Sequence, residues 1–339
     1  MRNKTSVLYI VIVFIAALVI GLPMQAEAPV DSDDNVLYNE NFEEDIATQT
    51  EIIILTDGDF KYFINDNDMI TIVKYLGEAA TPIILSEIDN KHVTALGDSV
   101  FYGNSKVKSI SIPSGVVTVG DRAFGFCENL ENIDLPETIT SIGSQAFLAC
   151  EKLKSIKIPA NVTIIGNGTL SYCANLKEVI LPDSIKEIHA YSFRDCKSLQ
   201  TITIPEGVTI IPDYCFSECE NLKIVILPST IKSIGEFAFQ YCTNLTAINL
   251  PDSIIEIGFS AFTSCSSLKE IVIPASVTSI NQLAFNRCDD LLKISILSTD
   301  VKIERDAFRR CGLAIIYAYE GSTAQAYAKA NKMPLVIIK

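Results

Sequence analysis

The chain has 339 residues, 48% of them hydrophobic, which is enough apolar side chain for a sizeable core. Its formal net charge is −14, with 20% of residues charged. That balance argues against a nucleic-acid partner, which needs clustered Lys and Arg against phosphate, and against docking on anionic lipid.

In chain order, Arg2 and Lys4 precede an unbroken apolar run from Val7 to Leu22, followed by Pro23 and Met24-Gln25-Ala26-Glu27-Ala28. Basic start, apolar run and small-residue Ala26-x-Ala28 predict that residues 1–28 are a secretory signal peptide or an N-terminal anchor. Membrane contact is expected only through this segment, if it stays uncleaved. Residues 29–50 are predicted to be a disordered acidic linker. Eight acidic residues lie from Asp31 to Glu51, and no Lys or Arg occurs between Lys4 and Lys61. Residues 51–103 read as a β-rich N-terminal cap. Phe60–Ile64 and Met69–Tyr75 flank Asn65-Asp66-Asn67-Asp68, a hairpin signal, and Ile83–Leu85 and Val93–Leu96 are further predicted strands.

From residue 104 to 310 the chain repeats itself. Cys127, Cys150, Cys173 and Cys196 open a register that steps by 23 residues to Cys311. Pro113 to Pro274, and Leu130 to Leu291, keep the same step. The unit reads C-x-x-L-x-x-[IV]-x-[IL]-P-x-x-[VI]-x-x-I-G-x-x-A-F-x-x, in nine copies. Asn104 replaces Cys in the first and Leu297 replaces Pro in the last, as end units of a stack would. A lone coil cannot bury its own apolar face, so each register becomes a ladder of like residues between stacked coils. Within a coil, Leu130, Ile133 and Leu135 alternate as a short strand that Pro136 ends. Ile139 and Ile142 add a second apolar stripe. Gly143-Ser144 reads as a turn and N-cap, and Ala146, Phe147 and Cys150 lie at helical spacing on a predicted short helical turn. The predicted fold class is therefore an α/β solenoid. Residues 311–339 are a predicted C-terminal cap: a strand at Ile315-Ile316-Tyr317, an N-cap at Gly321-Ser322, a helix over Thr323–Asn331 and a strand over Pro334–Ile338.

The unit L-x-x-[IV]-x-[IL]-P with A-F-x-x-C resembles the BspA-like leucine-rich repeat family of bacterial and protozoan surface antigens, over about two thirds of the chain. The two flanking segments are similar to that family's caps. The resemblance implies attachment to host matrix, cell-surface proteins or other microbes.

The residues themselves suggest no reactive centre. The cysteines follow the repeat on the inner face and read as buried free thiols, since parallel stacked Cβ vectors suit disulfide geometry poorly. His92 and His189 lack a Cys, Ser or carboxylate at a catalytic spacing, and Asp57-Gly58-Asp59 and Asp66-Asn67-Asp68 read as turns. No catalytic residue, cofactor or metal ligand is therefore expected, and the chain reads as no enzyme. Binding is expected from the outward strand positions. One column runs Ser111, Asp134, Lys157, Ile180, Thr203, Ile226, Asn249, Val272, Ser295; its neighbour includes Glu178, Thr201, Ile224 and Glu270. Ile180, Ile224, Ile226 and Val272 stand among polar residues as a candidate interaction patch. The expectation is a non-catalytic, secreted or cell-surface adhesion protein with an extracellular protein or glycoprotein partner. The competing reading is a structural cell-envelope component without a specific ligand.

Overall fold

The computed structural model describes residues 52–312 and 314–339. The expected leader (1–28) and acidic linker (29–50) lie outside them. We number the repeats coil 1 (104–126) to coil 9 (288–310), each beginning at the Cys position.

Each coil packs its apolar side chains inward and hands its backbone to the next coil. Most coils carry a three- or four-residue first strand, such as Ser155–Lys157 in coil 3, and a two-residue second strand, such as Ile164–Ile165. Neighbouring strands pair in parallel one repeat apart: Ser155 opposite Glu178, Ile164 opposite Glu187. Before the coils, Phe60–Ile64 and Ile70–Tyr75 form an antiparallel hairpin, and Lys91–Leu96 joins the latter strand to the second-strand ladder. The Asn65 side chain closes the hairpin turn, accepting from the N–H groups of Asn67 and Met69. Ile83, expected within a strand, makes only an isolated bridge to Ser111.

The architecture is a β-solenoid, which corrects the α/β expectation. The one α-helix among the described residues, Thr323–Ala330, lies after the repeats. The Ala-Phe-x-x-Cys segments, expected as short helical turns, are consecutive tight turns. In coil 2 the N–H groups of Ala146, Leu148 and Cys150 bond three residues back, to Gly143, Gln145 and Phe147. The alternate N–H groups of Gln145, Phe147 and Ala149 leave the coil and donate to Asn167, Thr169 and Ser171 of coil 3. An α-helix would spend these donors internally. Gln145 and Ala149 also take φ of 58° and 55°, left-handed values that interrupt a helix. The expected N-caps change role for the same reason. Asp121 accepts from the Ser144 N–H of the next coil, at 2.7 Å, and caps no helix.

Two coil types alternate along much of the solenoid. Coils 1, 3, 5 and 8 carry Ile-Pro followed by Val (Ile112/Val116, Ile158/Val162, Ile204/Val208, Ile273/Val277). Coils 2, 4, 6 and 7 carry Leu-Pro followed by Ile (Leu135/Ile139, Leu181/Ile185, Leu227/Ile231, Leu250/Ile254). The first strand of every Ile-Pro coil pairs with the coil after it; the first strands of Leu-Pro coils do not. β-Branched Ile suits extended backbone, and the Ile112, Ile158 and Ile204 N–H groups each donate forward to Asp134, Ile180 and Ile226. A hydroxyl closes the same junctions from the other side: Thr138, Ser184 and Thr230 donate to the carbonyls of Val116, Val162 and Val208. At the coil 2–3 and 4–5 junctions both strand ladders lapse, and the turn ladder runs through unbroken.

The core holds a stack of phenyl rings and a stack of thiols. Phe193, Phe216, Phe239, Phe262, Phe285 and Phe308 are parallel at 5.0–5.3 Å between neighbours. A second, shorter stack runs Phe101–Phe124–Phe147, with Leu170 of coil 3 between the two; Tyr75 packs on Phe101 at one end and Tyr327 of the helix on Phe308 at the other. Each Cys of the repeat donates its S–H backwards, as Cys150 does to the Phe124 carbonyl and Cys219 to that of Phe193. All ten cysteines are free and buried. Desolvation pushes the Cys127, Cys173 and Cys311 thiols from the usual 9.0 up to about 12, and raises the others as well.

Three outcomes follow from these contacts. The Phe308 N–H has no tenth coil to donate to and is received by the Tyr327 hydroxyl. Tyr327→Phe keeps the ring but orphans that donor, so we expect a loss of about 1–3 kcal/mol in chemical denaturation; a silent substitution contradicts this account of the cap. Neutral buried thiols stabilise fully below the unfolded-chain value near pH 9, and that contribution declines as pH rises toward about 12. Each of these thiols loses up to about 1.4 kcal/mol of stabilisation per pH unit within that window, so Tm should fall steeply as pH rises from 9 to 10, in step with thiol reactivity toward a disulfide reagent. Finally, the Lys177 and Lys223 amides donate across their junctions to Lys154 and Gln200. Gln200, at the coil 4–5 junction, should exchange its amide hydrogen faster than both.

Candidate functional site

On the first strands the buried residue is the central one, and its neighbours face water. Val225 is buried, while Ile224 and Ile226 on either side are 52% and 51% exposed. Ile180 and Val272 are likewise exposed. The chain therefore places all four sequence-predicted residues on the outer strand face, at differing separations. Ile224 and Ile226 share one strand of coil 6 and lie opposite Thr201 and Thr203 of coil 5. Ile180 sits in coil 4, across the junction where both strand ladders lapse. A shallow groove opens there, lined by Lys177, Glu178, Ile180, Gln200, Thr201 and Thr203. Val272 belongs to coil 8 and is separated from Ile226 by coil 7, whose Ala247–Asn249 stretch forms no strand. The patch is thus an adjacent Ile224–Ile226 pair on coil 6, with Ile180 and Val272 each one intervening coil away on either side.

Polar groups elsewhere are committed to structure. His189 Nε2 faces Glu187 at 3.2 Å, His92 Nδ1 faces Glu87 at 3.0 Å, and both pairs are solvent-exposed. The buried Ser192 hydroxyl donates to the backbone carbonyls of His189 and Gly166, which occupies it structurally. Asp68 of the hairpin turn pairs with Lys91. Among the described residues, no group of three or more His, Cys, Asp or Glu is arranged to hold a metal ion.

A second surface was not anticipated. Aromatic side chains crowd the turn side of coils 3–6, where Tyr191 stacks on Tyr214 at 4.9 Å and Tyr214 on Phe237 at 4.6 Å. Tyr172, Tyr191 and Tyr241 are exposed. The signal for it is local: Tyr191-Ser-Phe193, Tyr214-Cys-Phe216 and Phe237-Ala-Phe239 put a second aromatic two residues before the core Phe of three consecutive coils. The strand-face columns pass it by because it lies on the opposite part of the coil.

A family model described as BspA type leucine-rich repeat region matches residues 85–200 and 186–314, in six copies. Among solved structures, the chain is similar to the leucine-rich repeat protein of T. pallidum, at 30% identity and a TM-score of 0.51, covering 62% of this chain and 88% of that one. A leucine-rich cell surface protein from Faecalibacterium prausnitzii matches at 28% identity, a TM-score of 0.43, and 81% and 97% coverage. A leucine-rich repeat protein from Bacteroides ovatus matches at 26%, 0.40, and 84% and 100%. No curated protein matches.

Proposed function

Because the chain belongs to the BspA-type leucine-rich repeat family, we propose that it is a non-catalytic extracellular binding protein, secreted or held at the cell surface, that attaches to a protein or glycoprotein through the outer strand face. The observation that carries this reading is the exposed Ile224–Ile226 pair, with Ile180 and Val272 exposed on the same face one intervening coil away on either side. Ile224 and Ile226 lie about half exposed on one strand, and Ile180 about half exposed on coil 4, over an interior that is already filled. Exposed apolar clusters rimmed by polar residues mark interaction sites, and here Lys177, Glu178, Thr201 and Thr203 supply the rim. A solenoid suits the role because stacking fixes an extended surface whose outward side chains vary without disturbing the core. The apolar run of residues 7–22 and the small-residue pair Ala26 and Ala28 support export as the route to that location. Val272 extends the surface toward coil 8.

The test is a binding array of extracellular matrix proteins and glycans probed with residues 51–339, in wild-type form and as Ile180→Asp/Ile226→Asp. Captured ligands should bind the variant at least ~10-fold more weakly, which corresponds to about 1.4 kcal/mol. Its Tm should be unchanged, since both positions face water. Capture of a ligand with equal affinity by both forms places the site elsewhere. Capture of nothing supports a structural envelope role instead.

A further inference from the structure

The junction between coils 4 and 5 has lost the bonds that close its neighbours on the strand side. On either side of it, Lys186 and Lys232 donate their N–H groups to Thr163 and Thr209 of the coil before, and three residues on, His189 and Gly235 donate to Ile165 and Ile211. Between coils 4 and 5 neither bond forms, and neither the first nor the second strands pair there. The sequence supplies the cause. Pro212 fills the slot of His189 and Gly235 and has no N–H to give to Ile188. Gly207 fills the slot from which Ser184, Thr230 and Ser253 donate a hydroxyl to the coil before, so that bond is missing as well.

The coil 2–3 junction also lacks both strand ladders, but side chains bridge it. The Glu137 carboxylate of coil 2 accepts from the Ala160 N–H at 2.9 Å and from the Lys157 ammonium at 2.6 Å, both of coil 3. Lys154 of coil 3 reaches Glu131 of coil 2 at 2.6 Å. At the coil 4–5 junction the shorter Asp183 stands in the place of Glu137 and the uncharged Thr203 in that of Lys157. Gln200 and Lys177 replace the Lys154–Glu131 pair. No equivalent clasp is available. Grooves open on both strand layers at this one junction: the first beside Ile180, the second between Lys186, His189 and Ala190 of coil 4 and Val208, Thr209 and Pro212 of coil 5. The turn side is intact. Tyr191, Phe193 and Asp195 donate to Asp213, Cys215 and Ser217, and Phe193 stacks on Phe216 at 5.2 Å. In a stack whose cohesion is a sum over neighbouring interfaces, an interface bonded along one edge and only packed along the other yields first, by pivoting about the bonded edge.

We propose that the loss of these bonds makes the coil 4–5 junction a hinge. Residues 56–195 and 196–339 move as two blocks about the turn ladder, and the two grooves widen and narrow together. The hinge stands independently of the strand-face binding reading. A partner that gripped Ile180 on one block and Ile226 on the other would fix its angle, and that consequence alone rests on that reading. The test measures distances between paired spin labels on the full chain by double electron–electron resonance. Labels at Ser155→Cys/Ala247→Cys span four coils across the junction, and labels at Thr201→Cys/Lys293→Cys span four coils within one block. All four positions lie exposed in one strand-face column. The parent chain, whose ten thiols are buried, is the labelling blank. The distribution across the junction should be at least ~2-fold broader than the one within the block, as a hinge trapped at many angles gives. Closure is rebuilt with Pro212→Asn/Asp183→Glu/Thr203→Lys; Asn281 shows that asparagine donates from this slot, to Ile257. The rebuilt junction should narrow the distribution to the width of the control pair. Equal widths for the two pairs in the parent background overturn the hinge, whether or not the rebuilt variant folds. A folded rebuilt variant that stays as broad as the parent would overturn it too, because the missing bonds would then not be its cause.

Discussion

The backbone carbonyl of the core Phe is the point on which neighbouring coils agree. In coil 2 the Phe147 oxygen accepts from the Cys150 N–H and from the Cys173 thiol of the coil beyond. Both lone pairs of a buried acceptor are thereby used, which the interior demands of any carbonyl removed from water. The Phe147 N–H meanwhile donates to Thr169 of the next coil. One residue thus fixes a turn within its coil, a bond forward and a bond received from a side chain. The need for a small donor at one position explains the recurring cysteine better than size alone. Val would fill the space but leave the carbonyl half satisfied, and a disulfide would spend the hydrogens that do the bridging.

From that node the two sides of the coil diverge. The turn side is continuous: three backbone bonds and a thiol cross nearly every junction. The strand side is discontinuous: first strands pair only after Ile-Pro coils, and the second-strand ladder breaks at the coil 2–3 and 4–5 junctions while running on from coil 5 to coil 9. Stiffness is therefore concentrated along the turn edge, and any compliance lies in the strand face at the coil 2–3 and 4–5 junctions. The groove beside Ile180 is a consequence, because it opens where both strand ladders lapse. Thr138, Ser184, Thr230 and Ser253 each supply a hydroxyl to the carbonyl of the apolar residue one coil earlier, so this bond reinforces junctions whether or not the first strands pair across them.

Much of this is written in the sequence at one level and hidden at another. The 23-residue step makes the solenoid, its buried Phe and Cys columns and its outward strand columns readable, because a ladder needs like residues at like positions. Ala146, Phe147 and Cys150 mislead, because helices and consecutive tight turns both place residues three or four apart on one side. What separates the two is the destination of alternate N–H groups, and that depends on the neighbouring coil rather than on local spacing. The left-handed residues are equally silent, since Gln145, Tyr172 and Glu218 are chemically unrelated and share only a backbone angle imposed by the stack. The Ile-Pro/Leu-Pro alternation is visible in letters, yet its meaning rests on which strands pair. The Ile patch is readable as exposure, since period-two alternation fixes which side chains face out.

The exposed Ile residues and the turn-side aromatics fall on the same middle coils, and the reason is geometric. A repeat must satisfy its interior at every turn, so the core columns change only between apolar residues of similar fit, as where Leu170 takes the Phe position of coil 3. Differences accumulate only where a side chain leaves the stack: the first and third residues of the strand, and the left-handed positions of the turn. Coils 4 and 6 carry outward aliphatic residues on the strand, at Ile180 and at Ile224 and Ile226, while coils 4 to 6 carry aromatic ones on the turn. Solvation alone accounts for Lys157 or Asp134 in these columns. It does not account for Ile226 beside Ile224, both about half exposed. Side chains that cost the scaffold something, and cluster on one stretch of it, are the places where contact with another molecule would restore what the isolated chain gives up.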